Sequence, residues 1–489
     1  MWGSVALNGR LIKLSFYSTY NLRVWYFSGK VQDVLGREQG PAISLERSPM
    51  PMQNPSRKTI MLWVFFFGIM SLSFLLGAAV MVFELPSSGF LRKGFVGAKV
   101  WVEGKSDGSS LGPHDFSGPF EKKDIGKIDN PGKTCDGFTL VMFASMTKSS
   151  TQAFLLDMRG SVVHKWSAPF SEVWPNPIHV SGPVLDSEVC FFASHLYGNG
   201  DLLVVFHGLS ETAVGYGLAK LDRNSKVLWR YGAHMHHDVD VAEDGTIFGI
   251  KQEPMAPPPK GLGFLPSPCL GDYLVMLSPE GKELKKPIPI LEAFRDSPYS
   301  LLLSSHTHLR GRSFAKGDVL HTNSVKVLGR ELAGKFPMFK AGQVLICVRE
   351  LDAIAVLDPE TASVVWATTG PWCAQHDAQF LDNGHLLIFD NLGFNKGSRV
   401  LEYDPKTQSF PWSYSAENLS GFLTTERGMS QRLGNGNTLI VNSQGGQLLE
   451  VTRNKEMVWT SSYGDFITSA RRFQTGQLHF LEGDKRARP

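Results

Sequence analysis

Apolar positions along most of the chain fall in short blocks, each closed by a turn signal, and lack the i, i+3, i+4 rows of amphipathic helices. The fullest unit has Asn-Gly or Asp-Gly, an apolar strand, a gap, a second strand ending on an acidic or polar residue, a turn, and a strand closing on Trp or Tyr. YGNGDLLVVF, LDNGHLLIFDN and LGNGNTLIVNS are three openings of this unit. Six copies can be marked, over 137–166, 197–231, 242–286, 341–367, 381–414 and 433–463. A meander of this kind has two apolar faces and cannot bury both alone, so the units are expected to stack radially into an all-β, six-bladed β-propeller. The segment 470–482 reads as one more strand pair, free to close the ring against the first unit. A helix is expected at one place only, the insertion 288–305.

Ahead of the repeats the pattern changes. Residues 59–83 form a run without a charge, longer than the ~20 residues needed to cross a bilayer as a helix. It also exceeds the ~7–15 apolar residues of a cleaved signal peptide. A transmembrane signal anchor is therefore predicted. Arg57 and Lys58 abut its start while Arg92 and Lys93 follow at a distance, which favours placing the C-terminal part outside the cytoplasm. The first 49 residues are aromatic-rich without clear periodicity, and 1–58 read as a segment that is disordered or not native. MPMQNPSRK before the apolar run is a well-formed signal-anchor start, so the native start is expected near Met50 or Met52. Residues 84–133 read as a polar, glycine-rich spacer, and 134–489 as the propeller domain.

Composition narrows the classes. The net charge is +3 with both signs interspersed, so no polybasic tract points to nucleic acid. The 49 glycines and 28 prolines are spread along the chain, as many tight turns require. Five cysteines at wide spacings with no CxxC exclude a metal ribbon or a disulfide scaffold.

The innermost strand of each propeller blade leads to the central channel, so residues just before or on it line the axis. Four such places carry unusual polar chemistry: His236-His237-Asp238, His321-Thr322-Asn323-Ser324, Gln375-His376-Asp377 and Arg427-Gly428-Met429-Ser430. Arg349 is expected on the strand after His321. The series HHDVDVAEDG, HTNSVKVL, CVRELDAIAVLD and QHDAQFLDNGHLLIFDN resembles the bacterial arylsulfate sulfotransferases, six-bladed propeller enzymes of the periplasm or cell surface, over roughly 137–463. The resemblance implies a transiently sulfated histidine at His376, an HxN pair at His321 and Asn323, the arginine at Arg349 and the first channel histidine at His237. It also implies transfer from an aryl sulfate donor to a phenolic acceptor, independent of the nucleotide donor PAPS and without cofactor or metal. This chain departs from the family in a longer connection between His321 and Arg349, and it lacks the close cysteine pair of some members.

The chemistry asks for these residue types on its own account. A neutral imidazole can approach an anionic ester, planar Arg349 can hold two oxygens of a loose SO3-like transition state, and Asn323 can add donors. His321 is the expected general acid to the departing phenolate and general base to the incoming phenol. His236 and Asp238 are expected to be structural, and Asp377 can be either. His207, His306 and His308 belong to no repeated motif and are expected to face solvent. Trp166, Trp229, Trp366, Trp412 and Trp459 recur at the outer ends of units, as blade packing requires. Arg427 can bind sulfate or be structural, and Asn391 can reach the channel or make a turn. Two competing classes are a non-catalytic propeller that presents its top face to a protein or glycan, and a zinc site built from the clustered histidines.

Overall fold

The computed structural model describes 126–482, apart from 145–149, 181–183, 209–214, 307–316, 394–396, 416, 418 and 420–421, together with 2–7, 10–15, 23–26, 61, 65–73 and 75–76. The chain divides into two compact units, Met1–Val82 and Phe83–Pro489. In the first, Trp2–Leu7 pairs with Arg10–Ser15 and this with Arg23–Tyr26 in an antiparallel sheet. These strands fall in the stretch expected to be disordered or not native, and Leu7 pairs with Arg10 in the register of the first two. The first unit also holds a helical run over 65–73, and Phe65, Phe66, Phe67, Ile69, Met70, Leu72, Leu75 and Leu76 around it are all exposed. Among the described residues no helix is long and apolar enough to cross a membrane, and both ends of the expected 59–83 span lie outside them.

The second unit is the expected six-bladed propeller. Blade 1 is Phe138–Ala144, Gln152–Leu156 and Val162–Ser167, with Phe466–Phe473 as its innermost strand. Blade 2 is Val189–Leu196, Leu202–Gly208, Gly215–Leu221 and Val227–Tyr231. Blade 3 is Met235–Val241, Ile247–Met255, Cys269–Leu277 and Ile288–Pro289. Blade 4 is Thr322–Val327, Val344–Val348, Ala353–Asp358 and Ser363–Thr369. Blade 5 is His376–Phe380, Leu386–Asp390, Arg399–Asp404 and Ser409–Ser415. Blade 6 is Met429–Arg432, Thr438–Asn442, Gln447–Val451 and Met457–Ser462, and Lys127–Ile128 adds a fifth strand on its outside.

Six apolar layers alternate with the six blades, each lying between two neighbours, as where Phe389 of blade 5 meets Ile440 of blade 6. Every blade is thus buried on both faces, which is why its strands read as continuous apolar runs. Four turns between first and second strands share one geometry. Leu381 N donates to His385 O (2.9 Å) and Gly384 N to Leu381 O (3.0 Å), with Gly384 at φ 83°. The turns at Gly200, Gly245 and Gly436 repeat it. That left-handed position is why the repeat carries Asn-Gly or Asp-Gly. These turns lie at one end of four of the inner strands, so the starts of those strands gather at the other.

The tryptophans link blades as expected. The indole N–H of Trp166 donates to Gly200 O, Trp229 to Pro279 O, Trp412 to Arg453 O and Trp459 to Met158 O, each bond reaching the next blade. The ring closes through the chain's end, Phe466 pairing with Ala144 and Phe473 with Phe138. The expected strand pair over 470–482 needs correction, because a single strand is followed by a short helical turn at His479–Leu481. Leu478 and Leu481 stand three apart, a helical spacing, and both enter the layer between blades 1 and 2. The insertion 288–305 does hold a helix, Ile290–Arg295, followed by a tighter turn at Ser300–His306.

Candidate active site

Five inner strands shift register at the same height: between Phe191 and Ala193, His236 and Val239, Thr322 and Ser324, His376 and Gln379, and Ile467 and Ser469. Such a bulge adds an unpaired residue and re-aims a side chain. His237 (φ 58°), Asp377 (φ 49°) and Arg427 (φ 61°) are left-handed at or beside this level, at a cost of about 1 kcal/mol each. Blade 6 keeps its register and turns at Arg427-Gly428 instead.

His376 is buried. Its Nδ1 lies 2.7 Å from Asn391 Oδ1 and 3.0 Å from Ala374 O. Asn391 is fixed in that sense because its Nδ2 donates to Thr424 O (2.9 Å) and to Arg427 O. Both partners of Nδ1 can only accept, so Nδ1 carries the proton and Nε2 keeps its lone pair. Burial, then the charges of Arg349, Arg427 and His321, hold its pKa well below the ordinary imidazole value; the Asn391 bond opposes them without prevailing. The ring is neutral at neutral pH, as a nucleophile must be.

His321 is perturbed the other way. Its Nδ1 is 2.6 Å from Asp318 Oδ2, and although burial lowers its pKa, the Asp318 carboxylate outweighs this and raises it. The His237 ring lies 4.7 Å from that of His321 and nearly perpendicular to it. Burial, then the charges of His321, His236, His207 and Arg427, drive His237 well below the ordinary value. Two touching imidazoles with opposed shifts make a natural acid and base pair. Behind them His236 Nδ1 lies 2.6 Å from His237 Nδ1, and the Asp272 carboxylate is 3.6 Å from His236 Nε2. Gln252 Nε2 donates to Asp272 Oδ1 (3.2 Å) and Asp318 Oδ1 (3.3 Å), holding two buried carboxylates with one amide.

Arg349 begins a tight turn just past the strand on which it was expected, and pairs with Glu350. Its backbone N–H donates to His321 O (3.4 Å), and its side-chain charge is felt by both His376 and His321. Asn323 donates an amide N–H to Gln375 O (2.9 Å), tying blade 4 to the peptide before His376, and its buried Oδ1 has no hydrogen-bond partner among the described residues.

Arg427 resolves as structural. Its guanidinium donates to Thr468 O (2.6 Å), His237 O (3.0 Å) and Phe192 O (2.9 Å) and lies over the Phe192 ring, so one side chain joins four blades at the axis. Asp238 has its expected structural role, accepting from Val325 N and pairing with Lys326. Asp377 accepts from Ser430 N (3.1 Å) and Gln379 Nε2 (2.6 Å) and lies 3.5 Å from Arg471.

His207 overturns its expectation. It is buried, stacks on Phe192 at 4.0 Å and meets the His237 ring at 5.6 Å, because its strand is covered on both faces. The side chains of His306 and His308 lie outside the described residues. Asp318, Asp272, Gln252 and Glu350 were missed. Asp272 had a signal, being a charge inside the apolar run CLGDYLVML, and Asp318 stands three before His321. Among the described residues no cluster of His, Cys, Asp and Glu is arranged to hold a metal ion.

Comparison with solved structures found a protein of unknown function from Bacteroides caccae, 12% identical, TM-score 0.44, covering 68% of this chain and 98% of that one. A streptogramin B lyase is 9% identical, TM-score 0.35, covering 72% and 88%. Virginiamycin B lyase from Staphylococcus aureus is 7% identical, TM-score 0.32, covering 59% and 72%. No curated protein gave a significant match. The family model described as arylsulfotransferase (ASST) matches 194–464, which encloses His237, His321, Asn323, Arg349 and His376. As that match takes in more than half of the 489 residues, the chain belongs to the arylsulfotransferase (ASST) family.

Proposed function

We propose that the protein moves a sulfuryl group from an aryl sulfate ester to a phenolic acceptor through a sulfohistidine at His376, without PAPS. The observation that carries this reading is the pairing of a neutral His376 with Nε2 free and a carboxylate-backed His321 at one axial site. In the first half-reaction Nε2 of His376 bonds to sulfur, the aryl S–O bond breaks, and the leaving oxygen takes its electron pair and a proton from His321. Arg349 faces the charge spread over the SO3 oxygens. In the second, the acceptor phenol gives its proton to His321, its oxygen bonds to sulfur and the N–S bond breaks back to His376. His237 and Asn323 complete the wall of the site.

The chain is further proposed to be held in a membrane through 59–83, with the propeller outside the cytoplasm. The exposed Phe65, Phe66, Phe67, Ile69, Met70 and Leu72 of the 65–73 helix suit lipid better than water. Alkaline extraction is expected to leave the full chain with membranes, and release into the supernatant would end the anchor.

The full-length protein with 4-nitrophenyl sulfate and a phenol is expected to give a burst of nitrophenol and a sulfated peptide containing His376. The His376→Ala variant should fold and show neither. Wild-type turnover in that variant removes the nucleophile assignment.

A further inference from the structure

We propose that Asn391 and Arg427 are positioning residues forming one strut across the axis, with Asn391 joining the Ala374 carbonyl in holding the proton on Nδ1 of His376, so that Nε2 attacks. The inference rests on the sulfuryl-transfer reading above. The strut runs from His376 Nδ1 to Asn391 Oδ1 (2.7 Å), from Asn391 Nδ2 to the Arg427 carbonyl, and from the Arg427 guanidinium to His237 O (3.0 Å). It joins the nucleophile in blade 5 to the left-handed His237 in blade 3. Neither end can turn over cheaply. Inverting the Asn391 amide would set its oxygen against the Thr424 and Arg427 carbonyls, in a place with no solvent to compensate. Arg427 is likewise committed to three carbonyls from three other blades. Gly428, at φ 105°, lets the chain turn between the guanidinium and the inner strand, and a Cβ there would strike the Phe389 ring.

The neutrality of Asn391 has a chemical use. As Nε2 bonds to sulfur and the aryl S–O bond breaks, the ring becomes cationic and its Nδ1–H stays donated to the amide oxygen. An amide steadies that cation less than a carboxylate would, so the N–S bond remains easy to break in the return step. The sulfated histidine is a transit state, and Asn391 keeps it reactive.

The test uses the full-length protein labelled with 15N in histidine, with the His376 resonances assigned from their loss in His376→Ala. In the wild type the proton is expected on Nδ1, and a proton on Nε2 overturns the proposal without any variant at Asn391. Single-turnover measurement of the nitrophenol burst follows, where Asn391→Leu is expected to lose about 10²-fold in rate. Asn391→Asp is expected to keep the burst only at a pH low enough for its carboxyl to be protonated, when its O–H can donate to the Thr424 and Arg427 carbonyls, and to lose it about 10²-fold as that proton leaves, a pH dependence that a packing defect would not give. A burst in Asn391→Asp that does not change with pH, or a wild-type burst in Asn391→Leu, overturns the strut. A wild type with no burst sinks the sulfuryl-transfer reading instead, while the ring tautomer still decides the position of the Asn391 bond.

Discussion

One side chain type serves three purposes here because three environments act on it. His376 meets only neutral acceptors, His321 meets a carboxylate, and His237 meets other imidazoles and Arg427. Asp318 is the residue whose removal separates these roles. Burial and Arg349 both lower the pKa of His321, and Asp318 reverses the sum. In Asp318→Asn that reversal is lost, so His321 gives up its proton at lower pH. The alkaline limb of kcat/KM for 4-nitrophenyl sulfate should move down, with a loss of about 10²-fold at pH 8 and a much smaller one at pH 6. The acid limb belongs to His376, whose depressed pKa keeps it neutral well below the ordinary value of 6.5. An unchanged alkaline limb would take the general acid role away from His321.

At the scale of elements the closing strand decides whether the ring exists. Phe466–Phe473 is the inner strand of blade 1, and Ile467 and Ala470 sit in the layer between blades 6 and 1. A chain ended after Tyr463 leaves Phe138–Ala144 as an open edge and empties part of that layer. It is expected to be insoluble or to unfold at much lower urea, and an unfolding midpoint equal to that of the full chain would contradict the closure. This architecture was legible because blades buried on both faces force apolar runs, and a left-handed turn position forces Asn-Gly, so both leave marks in sequence. The placing of His237 and His376 at the inner-strand starts was legible for the same reason, since both stand at one offset before such a turn, whereas an insertion follows His321. The bulges were not, because a register shift depends on the neighbouring strand. Asp272, Gln252 and Asp318 were illegible as a group: they come from two strands and a loop and meet only after blades 3 and 4 are side by side. His207 was misread for lack of a motif, although its strand, LLVVFHG, is otherwise apolar.

For the whole molecule, the price of a histidine-rich axis is sensitivity to acid. Burial holds His207 at about 3, and burial with the charges of Arg471, Lys326 and Lys220 holds His195 at about 4. His237 and His376 are also well below 6.5. Each of these four binds its proton more weakly folded than unfolded. Their contribution to stability is therefore whole above the unfolded value of 6.5 and shrinks as pH falls below it. His321 has the opposite sign: its raised pKa stabilises fully below 6.5 and the benefit is lost as pH rises through the folded value. The four outnumber the one, so the folded propeller should weaken on acidification from pH 7 to 5.5. Each of the four contributes about 1 kcal/mol to that loss by proton linkage, offset in part by His321, against a typical total stability of about 5–15 kcal/mol. Urea unfolding at pH 7.5 and 5.5 measures the difference. His207→Leu supplies the internal control, since it deletes one titrating group from a site already packed against Phe192. The variant should recover about 1 kcal/mol of the acid loss. If its acid loss equals that of the wild type, the sensitivity does not arise from these imidazoles.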